Sequence, residues 1–365
     1  MIFLRALRVS FALFVTKKAA IYPLSTSGTV YACPRTLDKR AIVCHLPKTT
    51  VKVLEKNADG NGGAMASGPL LGTDLLQYTV SGLTIGIIYA LVAIGYNIIY
   101  NVTEIINFAQ GEFVMLGGLF AVFFAGTLHL PLLIAFFAAI GAGGCIGYAM
   151  DRLVIRNARD KSVLSLIIIT IAVSILLKGT AMFAWGKDPY GLHAFSSGGP
   201  IIIWGAAIQR QALWIFGVSA LVVIGLSVFF HRSVYGKAML ACADNPNAAR
   251  LVGINVSLMV LVSFVLSAAI GAAAGVIITP MSLMEYDRGA LLGLKGFGAA
   301  VLGGLGNFPG ALLAGAILGL CESFCAGYIS SGYKDAVALV LLLLALFFRP
   351  RGLFGRGEAA KLKRF

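Results

Sequence analysis

The stretch IINFAQGEFVMLGG, residues 105–118, places three polar side chains in an otherwise apolar run. Asn107, Gln110 and Glu112 supply two amides and one carboxylate, groups that can line a passage for a polar solute. Each costs free energy if it faces lipid, so all three should face a protein interior, a cavity or one another. Two interpretations stay open: they line or gate a substrate pathway, or they bond to backbone groups freed near Gly111.

A second polar interruption falls in GLKGFGAAVLGGLGNFPGALLAGAILG, residues 293–319. Pro309 and the glycines around Asn307 free backbone groups that protein or a wet cavity must satisfy. We therefore expect a broken helix here. The residues assigned to substrate passage are Asn107, Gln110, Glu112, Gly306, Asn307, Pro309 and Gly310.

The letters LGGL occur at 116–119 and again at 302–305, each time a few residues from one of these interruptions. Many transporters build a central pathway from broken helices at equivalent places in two related halves. The repeated letters suggest such halves in this chain.

Cysteine and histidine placement argues against metal, redox and catalytic chemistry. The six cysteines form no CxxC pair, and the four histidines lie at the ends of apolar segments or outside them. A proton relay or an intramembrane active site would need a histidine in the middle of a span. We predict no catalytic residue, no metal and no cofactor.

The composition places the chain in a bilayer. Of its 365 residues, 59% are hydrophobic and 12% are charged, and the mean hydropathy is +0.89. Because about 20 apolar residues cross a hydrocarbon core, we predict an all-α polytopic membrane protein with about eight or nine transmembrane helices, some of them broken or re-entrant. The predicted spans are 75–100, 105–126, 131–150, 163–185, 211–230, 258–279, 310–328 and 334–348, with a shorter apolar piece at 297–305.

Lysine and arginine placement predicts the orientation, because short cytoplasmic loops are enriched in both. Basic residues follow the third span at 152–161, follow the fifth at 232–250 and close the chain at 349–364, so these segments are predicted to be cytoplasmic. The loop at 186–210 carries few of them and faces out. If 297–305 also crosses, there are nine spans and the N-terminus is outside. The same bias accounts for the net charge of +14, so we predict no nucleic-acid partner.

Residues 1–64 differ from the rest of the chain. They begin with an arginine-studded apolar stretch without an acid before Asp38, which fits a signal or transit segment, yet no small-residue cleavage site follows soon. We favour translation from Met65, with 1–64 a disordered, non-native extension from a mis-assigned start. A short polar lead then runs directly into the first span.

The segment HRSVYGKAMLACADNPNAARLVGINVS, residues 231–257, is the most polar part of the membrane body. KAMLACA and NAARLVGI each predict a short amphipathic helix, the second started by Asp244-Asn245-Pro246 and ended by Gly253. A solvated connector needs no apolar face, so we predict docking on a cytoplasmic partner. The predicted docking face comprises Met239, Leu240, Ala248, Leu251 and Val252.

Four motifs carry a family resemblance: YALVAIGYNIIYNVTEIINFAQGEFVMLGG, GKAMLACADNPNAARLVGIN, GLKGFGAAVLGGLGNFPGALLAGAILGLCES and YKDAVALVLLLLALFFRPRGLFGR. Together they resemble the shorter permease of the bacterial high-affinity branched-chain amino acid ABC importers, over about residues 75–356. Two positions depart from the family pattern. Gln110 stands where histidine is usual, and Lys237 stands where arginine is common.

The resemblance implies an inner-membrane permease, with residues 65–365 as its transmembrane domain. It would pair with a second permease subunit, two cytoplasmic ATPases and an external substrate-binding protein. The chain has no GxxxxGK[ST] phosphate loop, so ATP hydrolysis falls to other subunits and this one is not an enzyme. The residues assigned to ATPase coupling are Lys237, Ala243, Asp244, Ala248, Arg250 and Gly253.

Three alternatives compete with this interpretation. A related ABC permease for urea or short amides uses similar motifs, and would differ in the polarity of its pathway. An ion-driven secondary transporter would carry several carboxylates in its spans, where only Glu112 and Glu322 are good candidates here. An intramembrane enzyme would need a histidine in the middle of a span.

Overall fold

The computed structural model describes residues 70–353, except 161, 197, 204–205 and 350–351. The predictions for residues 1–64 lie outside the described residues. The helices are α1 Leu70–Thr103, α2 Gln110–Val122, α3 Leu132–Ala149, α4 Val163–Trp185, α5 Arg210–Arg232, α6 Val234–Asp244, α7 Pro246–Leu251, α8 Val256–Ile278, α9 Arg288–Gly303, α10 Phe308–Tyr328 and α11 Lys334–Phe348. Phe123–Thr127 and Met150–Ile155 are π-helical, Ser331–Tyr333 is a 3₁₀ turn, and β1 Ile201–Ile203 pairs antiparallel with β2 Ala206–Ile208.

The predicted all-α membrane architecture is confirmed. Within the described residues, eight helical segments are long and apolar enough to cross a membrane. The predicted spans 163–185 and 334–348 coincide with α4 and α11. The predicted span 105–126 is wrong at its start, because Glu104 adopts a left-handed conformation at φ 55° and α2 begins only at Gln110. The β1–β2 hairpin in the loop before α5 was not predicted.

The bundle has central and peripheral helices. The apolar windows of α1 and α8 are 83% and 72% buried, whereas those of α4 and α11 are 17% and 11% buried. Glycines let the central helices approach closely, because a side chain at Gly275 of α8 would meet the backbone of Val114 in α2. Gly86 of α1 and Gly315 of α10 also face each other's helix closely, because a side chain at either position would lie 2.7 Å from backbone of the other helix.

One end of the bundle carries the β1–β2 hairpin, and we call it the hairpin end. Near the start of α1, the Gln77 amide donates to the carbonyl of Ala207 at 3.1 Å and accepts the N–H of Ala207 at 2.8 Å. Tyr190 and Met284 exchange two backbone hydrogen bonds of 2.8 Å, which tie the loop before β1 to the link between α8 and α9. So α1 starts, and α8 ends, at the hairpin end.

The opposite end carries α6 and α7, and we call it the α6–α7 end. Phe230, just before α6, stacks on Phe308 at the start of α10 with ring centroids 5.1 Å apart. After α11, the N–H of Leu353 donates to the carbonyl of Leu302 near the end of α9 at 2.7 Å.

The direction of α9 decides the number of passes. It leaves the hairpin end and reaches the α6–α7 end in 16 residues, about 24 Å at 1.5 Å per residue, and α10 runs back. The described residues therefore make nine passes between the two ends, which supports the nine-span alternative.

The two LGGL sequences do not occupy equivalent places. Residues 116–119 lie inside α2, whereas 302–305 cover the end of α9 and the start of a break in which Gly304 has φ 95°. A closer correspondence is the Asn-Phe pair, found at 107–108 just before α2 and at 307–308 where α10 begins. In both pairs the asparagine side chain accepts a hydrogen bond from a following backbone N–H.

Candidate functional site

The start of α2 lies deep inside the bundle. Gln110 is fully buried, and its amide accepts a 2.6 Å hydrogen bond from Ser267 Oγ and donates to the Ser267 carbonyl at 3.3 Å. Ser267 Oγ also contacts the carbonyl of Gly95, eight residues before the end of α1. Gln110 thus joins α2 to α8, and its partner is not backbone near Gly111.

The other two polar residues of this stretch are also buried. Asn107 uses its side-chain oxygen to accept the N–H of Ala109 at 3.1 Å. Glu112 accepts a 3.1 Å hydrogen bond from Ser174 of α4 through Oε1, while its Oε2 has no hydrogen-bond partner among the described residues. Gly289 faces that free oxygen, since a side chain there would collide with it. A substrate role for these three residues stays a prediction.

The predicted helix break spans residues 304–307, between α9 and α10. Asn97 of α1 accepts the N–H of Gly306 at 3.1 Å and donates to the carbonyl of Asn307 at 3.1 Å. Asn101, one turn further along α1, donates to the Gly306 carbonyl at 3.2 Å. Asn307 caps α10 by accepting the Gly310 N–H at 3.1 Å. Side chains rather than lipid therefore satisfy this backbone, as a membrane interior requires.

Both irregular segments meet the same part of α1. The Gln110 and Ser267 pair reaches it at Gly95, and the break reaches it at Asn97. Phe297 of α9 contacts an aromatic ring in α1 and another just before α2: its ring centroid lies 5.8 Å from that of Tyr96 and 5.8 Å from that of Phe108. The predicted pathway residues, although nearly 200 positions apart in sequence, thus lie around one short length of α1.

The two short helices predicted in the polar loop form as α6 and α7. Ser233 caps α6 by accepting the Gly236 N–H at 2.9 Å, and Asn245 caps α7 by accepting from Asn247 and Ala248 at 3.0 Å each. Gly253, with φ 88°, lies just past the end of α7 in a conformation that favours glycine.

The predicted docking face is corrected at one residue. Met239 is 1% exposed and packs inside the bundle, because the side of α6 that bears it faces the membrane body. Leu251 and Val252 are 89% and 76% exposed. Of the six predicted coupling residues, Lys237, Asp244, Ala248, Arg250 and Gly253 are exposed and Ala243 is half-buried.

A cavity of about 180 Å³ opens near the hairpin end. Its walls come from α1, α5, α8, α9, α10 and α11, together with the 281–284 link. None of the predicted pathway residues lines it. The volume is well above the ~15 Å³ of probe space that one water needs, so a small solute has room to enter.

Four polar side chains form a connected group in the wall of this cavity. Lys295 Nζ lies 2.8 Å from Glu322 Oε1, 2.6 Å from Asp335 Oδ1 and 3.1 Å from the Tyr89 hydroxyl. The Tyr89 hydroxyl donates in turn to Glu322 Oε2 at 2.8 Å. Lysine has three donors, and all three are used here. We refer to these four residues as the Lys295 cluster.

Sequence reasoning found only Glu322 of this cluster, as a carboxylate within a span. Lys295 was visible as a lysine inside the glycine-rich helix GLKGFG, and its position should have raised the same question as Glu112. Asn97 and Asn101, four apart in an apolar helix, gave a similar signal. What the sequence did not contain was the identity of their partners.

A bundle of membrane-crossing helices, with polar groups buried at its centre and an exposed helix pair at one end, is the architecture of a transport permease. Residues 78–346 match the family model described as the branched-chain amino acid transport system permease component. The chain belongs to this family, as the motifs in its sequence predicted.

Curated relatives agree with the family model. The BraD permease of the high-affinity branched-chain amino acid transport system of Pseudomonas aeruginosa is 38% identical over 301 residues, which cover 79% of this chain and 98% of BraD. The corresponding LivH permease of Escherichia coli K12 is 34% identical over 300 residues, 79% of this chain and 97% of LivH. A solved structure of PsaBC from Streptococcus pneumoniae covers 84% of this chain and 99% of its own at 16% identity, but its TM-score of 0.40 is too low to support an argument.

Proposed function

We propose that this chain is a permease subunit of an ATP-driven importer that carries leucine, isoleucine and valine into the cytoplasm. The observation that carries the proposal is the α6–α7 pair, which leaves Leu251 and Val252 almost fully exposed at one end of a membrane bundle. Apolar side chains in such positions are typical of a docking surface for another protein. Membership of the branched-chain permease family supports the substrate class.

The proposed assembly has two permease subunits, two cytoplasmic ATPases and an external substrate-binding protein. The ATPases would contact Lys237, Ala243, Asp244, Ala248, Arg250 and Gly253. Closure of the ATPase pair would displace α6 and α7, and that displacement would shift the membrane helices between outward and inward states.

We propose that the α6–α7 end faces the cytoplasm of a bacterial inner membrane. The basic residues at 152–161 and 232–250 support this orientation under the positive-inside rule. The hairpin end would then face outward, towards the binding protein. With nine passes, α1 would start outside and the C-terminus would lie inside.

The polar residues around α1 would form the inner part of the substrate pathway. These are Asn107, Gln110 and Glu112 with the break at Gly306, Asn307, Pro309 and Gly310. The free Oε2 of Glu112 supports such a role, because a buried carboxylate oxygen without a partner is costly unless a bound solute or another state satisfies it.

A test is uptake of labelled leucine by vesicles that contain the complete transporter, with and without ATP and with excess unlabelled urea. ATP-dependent leucine entry that urea leaves unchanged is the expected result. ATP-dependent urea entry without leucine uptake would keep the coupling proposal and assign the substrate to the urea and amide class. Leucine entry driven by an ion gradient without ATP would overturn the proposal.

A further inference from the structure

We infer that the cavity beside the Lys295 cluster binds a zwitterionic amino acid, and that Asp335 is the residue that releases Lys295 to receive it. The inference rests on the proposed function, since it names a site for the substrate within that transporter. It concerns residues outside the predicted pathway, in the cavity that extends from the 281–284 link to Tyr89 and Lys295.

The cavity is lined by both apolar and charged side chains, a combination that suits an aliphatic amino acid. Most of its lining is apolar, and Ile88 and Ile215 are fully buried. The apolar residues on which the argument relies are Ile85, Ile88, Ile215, Ile278, Met281 and Leu291. These walls suit a branched hydrocarbon side chain, whereas urea would gain nothing from them.

The charged part of the wall carries both signs. Lys295 can pair with a carboxylate, and Glu322 and Asp335 can pair with an ammonium group. Arg288 and Lys334 also line the cavity, and Arg288 lies 3.4 Å from Glu285. A free amino acid presents one carboxylate and one ammonium close together, which is the complement of an adjacent lysine and aspartate.

The two carboxylates of the cluster are held differently. The Glu322 side chain is 7% exposed and is fixed by both Lys295 and the Tyr89 hydroxyl. The Asp335 side chain is 49% exposed, and in the described part of the chain Lys295 is the one basic side chain within ion-pair distance of it. Asp335 also lies in the first turn of α11, a peripheral helix. Of the two, Asp335 is therefore the carboxylate that can move.

An exchange of partners accounts for binding without burying a net charge. In the closed arrangement, Asp335 occupies Lys295 at 2.6 Å. When substrate enters, its carboxylate replaces Asp335 on Lys295, and the released Asp335 pairs with the substrate ammonium. Each charge keeps a partner of opposite sign, which matters because an unpaired charge in this setting is costly.

The test uses the complete transporter in proteoliposomes with its binding protein, and compares Asp335→Asn with the conservative Asp335→Glu. Asp74→Asn, an exposed carboxylate at the start of α1 outside the cavity, is the matched control. Two rates are measured: ATP-driven leucine uptake, and ATPase activity stimulated by leucine-loaded binding protein. Asp335 is chosen because loss of the buried Lys295 or Glu322 endangers folding itself.

We expect Asp335→Asn to lower leucine uptake about tenfold or more, as loss of one charged pair implies. Its stimulated ATPase activity should remain within about twofold of the parent, because Asp335 is not on the α6–α7 surface to which the ATPases are proposed to bind. Asp335→Glu should recover part of the uptake, and Asp74→Asn should behave as the parent.

Two results would overturn the inference. Uptake by Asp335→Asn equal to the parent would mean that substrate does not need this carboxylate. Equal loss of uptake and of stimulated ATPase activity would mean that Asp335 serves the packing of α9 and α11 or the docking of the binding protein, and not the binding of substrate. Failure of the parent transporter to import leucine would instead remove the proposed function, and is recognised before any variant is compared.

Discussion

The side chain of Asn97 bonds to one backbone group of Gly306 and one of Asn307, two adjacent residues in the break between α9 and α10. Its oxygen accepts the N–H of Gly306 and its nitrogen donates to the carbonyl of Asn307, both at 3.1 Å. Asn97 is completely buried, and its two backbone partners are half-buried. One amide on α1 therefore replaces helical hydrogen bonds that the break between α9 and α10 lacks.

Asn97→Ala should destabilise the protein by about 1–3 kcal/mol, because the N–H of Gly306 loses its partner inside the bundle and the carbonyl of Asn307 keeps only the N–H of Ala311. Thermal unfolding in detergent measures the loss. The control is Asn157→Ala, since Asn157 is exposed and its side chain bonds to a carbonyl four residues earlier. Equal unfolding temperatures for both variants would contradict the role assigned to Asn97.

Gly275→Ala should lower the free energy of unfolding by at least about 1–3 kcal/mol, because the new methyl group would overlap the backbone of Val114 on α2. Gly141→Ala is the matched control, since nothing lies within 4 Å of a side chain built there. Alanine is also the better helix former, so the control should be neutral or slightly stabilising. The unfolding temperatures of the two variants should therefore shift in different directions or by clearly different amounts.

Gly236→Ala should loosen α6 from α5, because its methyl group would meet the carbonyl of Phe229. Cys242 of α6 reports the change. Burial raises the pKa of the Cys242 thiol, with Arg250 opposing the shift, so little thiolate forms near neutral pH and maleimide reacts slowly. Labelling, followed by peptide mass spectrometry, should speed up in the variant and with rising pH.

The control for this experiment is Gly225→Ala on α5, where a side chain meets nothing within 4 Å. It should leave Cys242 as slow to react as in the parent. Rapid labelling of Cys242 in the parent itself would show that α6 is not held against the membrane body.

Leu251→Asp and Val252→Asp should each weaken association with the ATPases by about tenfold or more, since burying one large aliphatic side chain contributes about 1.5–3 kcal/mol. Because both side chains are exposed in this chain, its own unfolding temperature should not change. Co-purification with the ATPases measures association. Lys187→Asp, in the loop at the hairpin end, should co-purify normally.

Gly253→Val should uncouple ATP hydrolysis from transport while membrane insertion remains intact. The φ of 88° costs a branched residue about 1–2 kcal/mol, although the side chain itself would meet nothing within 4 Å. Gly253→Asn is the control, because asparagine tolerates this conformation better. Normal uptake by the valine variant would show that the turn after α7 plays no part in coupling.

Local features of the fold were predictable because their causes are local. Long apolar runs set the spans, Pro309 and its glycines set the break, and Asn245 with Pro246 set the start of α7. The start of α2 was misplaced because residues 105–109 are apolar enough to extend a span, yet the chain turns at Glu104.

The polar contacts were not predictable because their partners are distant in sequence. Lys295 pairs with residues 27 and 40 positions away on two other helices, and Asn97 meets a backbone 210 positions away. Helical periodicity likewise places Met239 on one side of α6, but it does not show whether that side packs against the membrane helices or against another protein. In this chain it is the membrane bundle itself.

The length of α1 makes it a rigid rod between two surfaces. Its 34 residues extend about 51 Å, and it holds the β1–β2 hairpin through Gln77 and the helix break through Asn97. A tilt of this rod moves both attachments together. Energetic coupling between two binding sites is reciprocal. If a protein that binds at the hairpin tilts α1 and thereby changes the affinity for a solute at the break, then that solute changes the affinity for the protein at the hairpin by the same factor.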